Sequence, residues 1–332
     1  RSCDWRGRSG VFVKILIIPG RTLPSISETD IERIRVAGGN ADVVVSTPEE
    51  AIEHVGDSDV LLGLLSKRMF LASNRLKWVH AIASGVDMFL YDEFVLSDVI
   101  LTSEKGLVGE HLADHAFGLL LMLTRQLGTA LRLGPSSWEH RPEMRSKEIE
   151  LTGATLGIFG FGGTGKAMAR RAVGFGMQVI ALDREQMQAS DGAGEVLAPD
   201  GFDSMLSRSD VVSICCPLTT ETRGKFNSAA FKAMKDSAVL VNVTRGEVMV
   251  EDDLVNALTE GIIAGAALDV APREPLPADS GLWSLDNVVM SPHTAGASQF
   301  RASRNLDRFI RNLEHLNNGE ALEGVIDKDL GY

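Results

Sequence analysis

What this chain has little of already narrows its function. Cysteine occurs three times in 332 residues, as Cys3 and the adjacent pair Cys215 and Cys216. With no CxxC spacing, neither a disulfide framework nor a cysteine-held metal is expected, and a reducing, cytoplasmic setting is the default. Long apolar runs are missing too. The most apolar helix-like stretch, 116–123, falls far short of the roughly 20 residues that span a bilayer, and Asp114 and His115 adjoin it. Sustained basic runs are absent: 33 lysines and arginines stand against 45 aspartates and glutamates, a net charge of −12. That balance disfavours nucleic acid or an anionic membrane surface as partner and fits a soluble protein.

What is present is ample core material, 44% hydrophobic residues, in a length that suits two domains. Residues 1–10 are polar, arginine-rich and without an initiating Met, and read as an extension or tag outside the fold. From Val11 short apolar runs alternate with helical segments. Strands are expected at 13–18, 42–45, 60–65, 78–82 and 99–101, with helices at 28–37, 48–54 and 67–73. Residues 108–132 carry one unbroken helical pattern, expected to connect the domains, and 134–150, with Pro135, Trp138 and Pro142, read as a loop. Further strands follow at 155–159, 211–214, 239–243, 263–268 and 288–290, with helices at 202–207, 227–234 and 251–259, and a last helix at 298–316 that should return to the first domain. The rhythm is that of an α/β protein with two doubly wound parallel sheets. Residues 11–106 with 299–332 would form a flavodoxin-like, discontinuous substrate domain, and 107–298 a Rossmann domain of about six strands.

The chain is organised around 155–183, TLGIFGFGGTGKAMARRAVGFGMQVIALD. It reads strand, glycine turn, helix, strand, acidic residue, which is the dinucleotide fingerprint in its required context. Gly160 allows the tight turn, Gly162 a close approach of backbone to pyrophosphate, and Gly165 the packing of helix on strand. The diphosphate would rest on the N–H groups of the helix beginning near Gly163, and Asp183 would bind the adenosine ribose. The same glycines with Lys166 also fit the start of a nucleoside-triphosphate P-loop, but Ala167 stands where a magnesium-binding hydroxyl is required.

Four residues follow strand ends on the edge where a dinucleotide binds: Arg245, Asp269, Glu274 and His293. An arginine offers a planar fork of donors for a carboxylate or carbonyl. A histidine can give a proton to a carbonyl as hydride arrives, and Glu274 could orient its ring. Asp269 is expected to contact the nicotinamide ribose or carboxamide. His111 and His115 share a helix face at i and i+4, but no third ligand is evident and no metal is assigned.

Five segments carry a resemblance: GFGGTG at 160–165, CPLTTETRG at 216–224, VNVTRGEVM at 241–249, ALDVAPREPLP at 267–277 and SPHTAGAS at 291–298. In combination and order they closely resemble the signatures of the D-isomer-specific 2-hydroxyacid dehydrogenases, and the likeness extends over about 13–327. It implies that Arg245 binds the substrate carboxylate and carbonyl, that Glu274 pairs with His293, and that His293 is the acid/base. The glycine-rich substrate loop matches 83–87, so the N–H groups of Ser84 and Gly85 would help hold the carboxylate. Cofactor contacts are implied for Gly160, Phe161, Gly162, Gly163, Thr164, Gly165, Asp183, Arg184, Cys216, Pro217, Thr222, Val243, Thr244, Arg245, Asp269, His293 and Gly296.

The resemblance further implies a homodimer through the cofactor domain, with the segment around Trp138 exposed for it. Thr164 departs from the family's usual aliphatic residue, and Ala271, Pro272 and Arg273 replace commoner aromatic and acidic ones. Glu274 points away from the formate dehydrogenase branch, which has Gln beside its histidine, and no added regulatory domain is expected after the last helix. Asp183 favours NAD(H) by repelling a 2′-phosphate, whereas Arg184 leaves NADP(H) open. The expected activity is hydride transfer between this cofactor and C2 of a small 2-oxo or D-2-hydroxy acid, such as glyoxylate or hydroxypyruvate. The alternative from another class is an NAD(H)-sensing, non-catalytic protein of the corepressor type.

Overall fold

The computed structural model describes residues 13–332; the extension expected over 1–10, and Cys3 within it, lie outside the described residues. In chain order the elements are β1 (Lys14–Ile17), α1 (Glu28–Ala37), β2 (Asp42–Val45), α2 (Ala51–His54), β3 (Val60–Leu62), α3 (Lys67–Ala72), β4 (Trp78–His80), α4 (Asp92–Val95) and β5 (Ile100–Thr102). Then come α5 (Gly109–Thr124), α6 (Leu127–Leu133), α7 (Arg141–Ser146), β6 (Thr155–Phe159), α8 (Gly163–Gly174), β7 (Gln178–Leu182) and β8 (Glu195–Leu197). The chain continues through α9 (Phe202–Arg208), β9 (Val211–Ile214), α10 (Ser228–Ala233), β10 (Val239–Asn242), α11 (Glu251–Thr259), β11 (Gly265–Leu268), β12 (Val288–Met290) and α12 (Arg301–Asn318). Among the described residues no helix is long and apolar enough to cross a membrane.

Two compact units result, one ending at Leu107 and resuming over Ala297–Tyr332, the other Val108–Gly296. The first holds a five-stranded parallel sheet in the order β2-β1-β3-β4-β5, the flavodoxin-like winding. Helix α1 starts where the Ser27 hydroxyl accepts from Asp30 N, with Glu28 and Asp30 in its first turn and Arg35 in its last, each on the side the helix dipole favours. One face of the sheet is closed by α12, whose Phe309 stacks on Trp78 at 5.0 Å between ring centres. Both rings are fully buried, and each such side chain contributes about 1.5–3 kcal/mol through removal from water.

The second unit holds seven parallel strands in the order β12-β11-β10-β9-β6-β7-β8. The order reverses between β9 and β6, so the carboxyl ends of these two strands form the switch-point crevice where such sheets bind ligands. Its central strands β9 and β10 are buried along their whole length, as parallel strands covered on both faces must be.

Several expectations need correction. The helix expected over 108–132 is two helices: Gln126 adopts φ 53, a left-handed conformation, between α5 and α6. Its side chain makes the break tolerable, with Nε2 donating to Leu123 O at 3.1 Å and Oε1 accepting from Thr129 at 3.1 Å. The loop expected over 134–150 contains a short 3-10 helix, Gly134–Trp138, and α7, each with proline in its first turn. The strand β8, and so the seventh strand, was not expected, nor was α4.

Candidate active site

Strand β6 is buried from Leu156 onward, and the glycine turn leaves it at Gly160 with φ 98. A β-carbon on Gly160 would stand 2.7 Å from Cys216 Cα, and one on Gly165 would stand 2.2 Å from Gly160 O, so no larger residue fits at either position. Helix α8 then begins with Gly162 as an N-cap that supplies no side-chain acceptor, and Gly162 and Gly163 are exposed. No side chain caps the N–H groups at the positive end of this twelve-residue helix, and a β-carbon on Gly162 would meet nothing within 4 Å, an arrangement that suits a diphosphate. Phe161 is fully buried beneath the turn, and Thr164 lies half-buried in the first turn of α8. Ala167, the position that argues against a P-loop, is fully buried in the helix–sheet interface.

Asp183, directly after β7, ties this turn down: Oδ2 accepts from Phe161 N at 2.7 Å and Oδ1 from Glu185 N at 3.0 Å. Arg184 is exposed, with Nε 3.7 Å from Glu185 Oε1. On the other side of the crevice, after β9, Cys216 is buried and burial pushes its thiol well above the usual range, so only its backbone is available to a ligand. Pro217 is exposed, and the Thr222 hydroxyl folds this turn by donating to Pro217 O at 2.8 Å. After β10, Val243 is buried and Thr244 N donates to Asn242 Oδ1 at 3.0 Å.

Arg245 continues from there, half-buried, with its carbonyl accepting from Asn242 Nδ2 at 2.9 Å and one guanidinium N–H donating to Thr244 O at 2.9 Å. The next residue, Gly246, lies against the backbone of Ala271 and Pro272. The Arg245 loop thereby touches the loop that carries Glu274. Glu274 Oε1 accepts from Ala271 N at 3.0 Å and Oε2 lies 2.6 Å from His293 Nδ1. With a carboxylate at Nδ1, the network assigns the proton to that nitrogen and leaves Nε2 as the ring's other working atom. The His293 side chain is 46% exposed. Its backbone is left-handed, φ 53, and is fixed by its N–H donating to Asp269 O at 2.8 Å. A non-glycine residue held in that region marks a backbone over-determined by its surroundings.

Asp269 sits behind this loop, not on its surface. Its side chain is buried, and it accepts from Thr294 N at 2.9 Å, Ala295 N at 2.8 Å and the Ser291 hydroxyl at 2.6 Å. His115, on α5, completes the cluster with Nε2 2.7 Å from Ser291 Oγ. Gly296, half-buried, ends the unit. Sequence reasoning singled out neither Ser291 nor this use of His115; the signal was the polar SP preceding His293 and a histidine on the otherwise apolar α5. No group of three or more metal-ligating side chains occurs among the described residues. Ser84 and Gly85 belong to the other unit, half-buried in the loop after β4.

A Rossmann sheet with an uncapped glycine-turn helix is the form of a nicotinamide dinucleotide-binding domain, and here an arginine and a histidine–glutamate pair stand at its strand ends. Comparison with known proteins agrees. Residues 117–295 match the family described as D-isomer specific 2-hydroxyacid dehydrogenase, NAD binding domain. Glyoxylate reductase of Korarchaeum cryptofilum is 36% identical over 289 residues, covering 84% of this chain and 86% of that protein. Glyoxylate reductase of Pyrococcus furiosus is likewise 36% identical over 293 residues, covering 85% and 86%. Among solved structures, an NADPH-dependent glyoxylate/hydroxypyruvate reductase from Sinorhizobium meliloti, in complex with NADP and sulfate, is 27% identical with a TM-score of 0.78, over 96% of this chain and all of that one. The chain belongs to the D-isomer-specific 2-hydroxyacid dehydrogenase family.

Proposed function

We propose that the protein reduces a short 2-oxo acid of the glyoxylate or hydroxypyruvate class to the D-2-hydroxy acid, with His293 as proton donor. The observation that carries this reading is the 2.6 Å contact between His293 Nδ1 and Glu274, on a loop braced against that of Arg245. The names of the relatives support the substrate class. A bound nicotinamide dinucleotide supplies the hydride that reaches C2. Arg245 holds the substrate carboxylate and carbonyl oxygen through its fork of donors. Glu274 keeps the His293 ring turned so that Nε2 delivers a proton to the oxygen as charge develops there, and takes one back in oxidation.

The cofactor rests on the N–H groups of α8, with backbone or side chain at 160–165, 216–217, Thr222, 243–245 and Gly296 around it. Asp183 supports NAD(H), since a carboxylate there repels a 2′-phosphate. Arg184 beside it, and the NADP carried by the Sinorhizobium meliloti structure, support measuring both cofactors. We also infer a homodimer through the second unit, supported by the exposure of Leu127, Leu131 and Trp138.

The test is oxidation of NADH and of NADPH across a panel of 2-oxo acids. Wild-type protein should turn over glyoxylate or hydroxypyruvate, faster with NADH, and His293→Ala should lose about a hundredfold or more. No turnover on any 2-oxo acid, or His293→Ala as fast as wild type, would overturn the proposal.

A further inference from the structure

The assignment of His293 leaves unexplained a second histidine in the same unit. His115 projects from the N-terminal half of α5 with its side chain 27% exposed, and its Nε2 lies 2.7 Å from Ser291 Oγ and 3.4 Å from Asp269 Oδ1. Ser291 is two residues before His293, and Asp269 is the carboxylate behind the His293 loop.

The protons in this chain can be placed. A serine hydroxyl has one hydrogen, and the 2.6 Å contact with the buried, acceptor-only carboxylate of Asp269 claims it. Ser291 Oγ can then meet His115 only as an acceptor, so His115 Nε2 carries a hydrogen and donates it. The order is His115 to Ser291 to Asp269, all pointing inward to one carboxylate. This is the reverse of a nucleophilic triad, in which a hydroxyl proton faces a histidine and leaves the oxygen free to attack. Ser291 is therefore no nucleophile.

Asp269 is also the point from which the loop is hung. Its carboxylate takes the N–H groups of Thr294 and Ala295, and its carbonyl takes that of His293 itself. Those three donors hold the left-handed turn at His293. Ser291 and His115 supply the remaining donors, Ser291 directly and His115 through it. Without His115 the Ser291 hydroxyl keeps its acceptor but loses the group that fixes its rotamer, and the carboxylate loses its link through Ser291 to α5.

We propose that His115 is a positioning residue: through Ser291 and Asp269 it anchors the His293 loop to α5 and sets where the imidazole stands. This rests on the reading of His293 as proton donor. Acting through Ser291 and Asp269 on the His293 loop, His115 should affect kcat and leave cofactor binding little changed.

The experiment compares wild type, His115→Leu, His115→Gln, Ser291→Ala and the double variant His115→Leu/Ser291→Ala by steady-state NADH oxidation with glyoxylate, with thermal unfolding alongside. His115→Leu should lower kcat about tenfold, since small misplacements of a catalytic group cost one to two orders of magnitude, with KM for NADH within about twofold. Glutamine places an amide N–H near the position of Nε2, so His115→Gln should recover most of the rate, which loss of packing alone would not allow. The double variant should be no slower than Ser291→Ala, because both break one chain. If His115→Leu does not fold, His115→Gln near wild type and Ser291→Ala slowed about tenfold carry the same result. A His115→Leu kcat within twofold of wild type, a Gln variant as slow as Leu, or additive effects in the double variant would each overturn the inference alone. A wild type that turns over no 2-oxo acid overturns it together with the proposed activity, and the wild-type control separates the two cases.

Discussion

Gly246 and Ala271 meet backbone against backbone: a β-carbon on Gly246 would stand 2.0 Å from both the carbonyl carbon and the oxygen of Ala271. Arg245 immediately precedes the one, and Glu274 follows the other by three residues. Arg245, the proposed anion-binding residue, and Glu274, the carboxylate at His293 Nδ1, therefore share one mechanical joint.

Gly246→Ala must force that joint apart. Overpacking of this kind costs about 1–3 kcal/mol of stability, and displacement of the paired loops should lower kcat/KM with glyoxylate by roughly ten- to a hundredfold. Urea unfolding and steady-state kinetics on the same preparation check this. Unchanged kcat/KM would mean that the two loops adjust independently.

Glu274 has two separable duties, since one oxygen accepts from Ala271 N and the other from His293 Nδ1. Glu274→Gln retains an acceptor for the backbone but removes the negative charge next to the imidazole. Charge-assisted hydrogen bonds are roughly twice as strong as neutral ones, so kcat should fall on the order of tenfold, less than the hundredfold or more expected on losing the acid itself. Glu274→Ala, which releases the loop as well, should be slower than Glu274→Gln; equal rates in the two variants would assign the whole effect to charge.

His80, at the end of β4, is wholly buried, and burial first, then the charge of Arg308, pushes its imidazole down from 6.5 to about 3. Between those values the unfolded chain binds a proton that the folded ring refuses. The contribution of this group is thus complete above pH 6.5 and declines by about 1.4 kcal/mol per pH unit as the pH falls toward 3. His80→Asn retains a partner for the Thr102 hydroxyl, now 2.7 Å from Nδ1, and has nothing to titrate. Its unfolding free energy, from urea melts at pH 7.5, 5.5 and 4.5, should fall less steeply than that of wild type. Parallel decline would remove His80 as the source of the slope.

Trp138 is 77% exposed and Leu131 75%, both on the segment read as the dimer contact. Sedimentation velocity should give wild type the mass of two chains, and Trp138→Arg a shift toward one chain at micromolar concentration with secondary structure intact. A monomeric wild type would refute the homodimer.

The glycine turn was legible because its physics is local. Strand β6 and Asp183 fall where the spacing puts them, and β9, β12, α1 and α11 match the apolar pattern residue for residue. The misses have equally local causes. Gln126 is neither glycine nor proline, so nothing in the pattern of α5 announces a left-handed residue. Pro135 and Pro142 suggested a loop, yet proline is at home in the first turn of a helix, where its missing N–H has no partner to lose. Strand β8 is an edge strand with every residue half-buried, and so it lacks the apolar run that betrays a central one. The support behind His293 was hidden for another reason: His115 and Ser291 lie 176 residues apart in sequence, and only the fold of the second unit brings them together.

Asp183 has one consequence for redesign. The residue that would be exchanged to make the protein accept a phosphorylated ribose is the same one whose Oδ2 receives the Phe161 N–H. Removing it outright, as in Asp183→Ala, would strip a partner from the turn proposed to carry the diphosphate, so a gain in NADPH tolerance should arrive together with poorer binding of either dinucleotide. Asp183→Asn or Asp183→Ser, which keep an oxygen for Phe161 N–H while discarding the charge, are the substitutions in which tolerance and turn integrity can be varied separately.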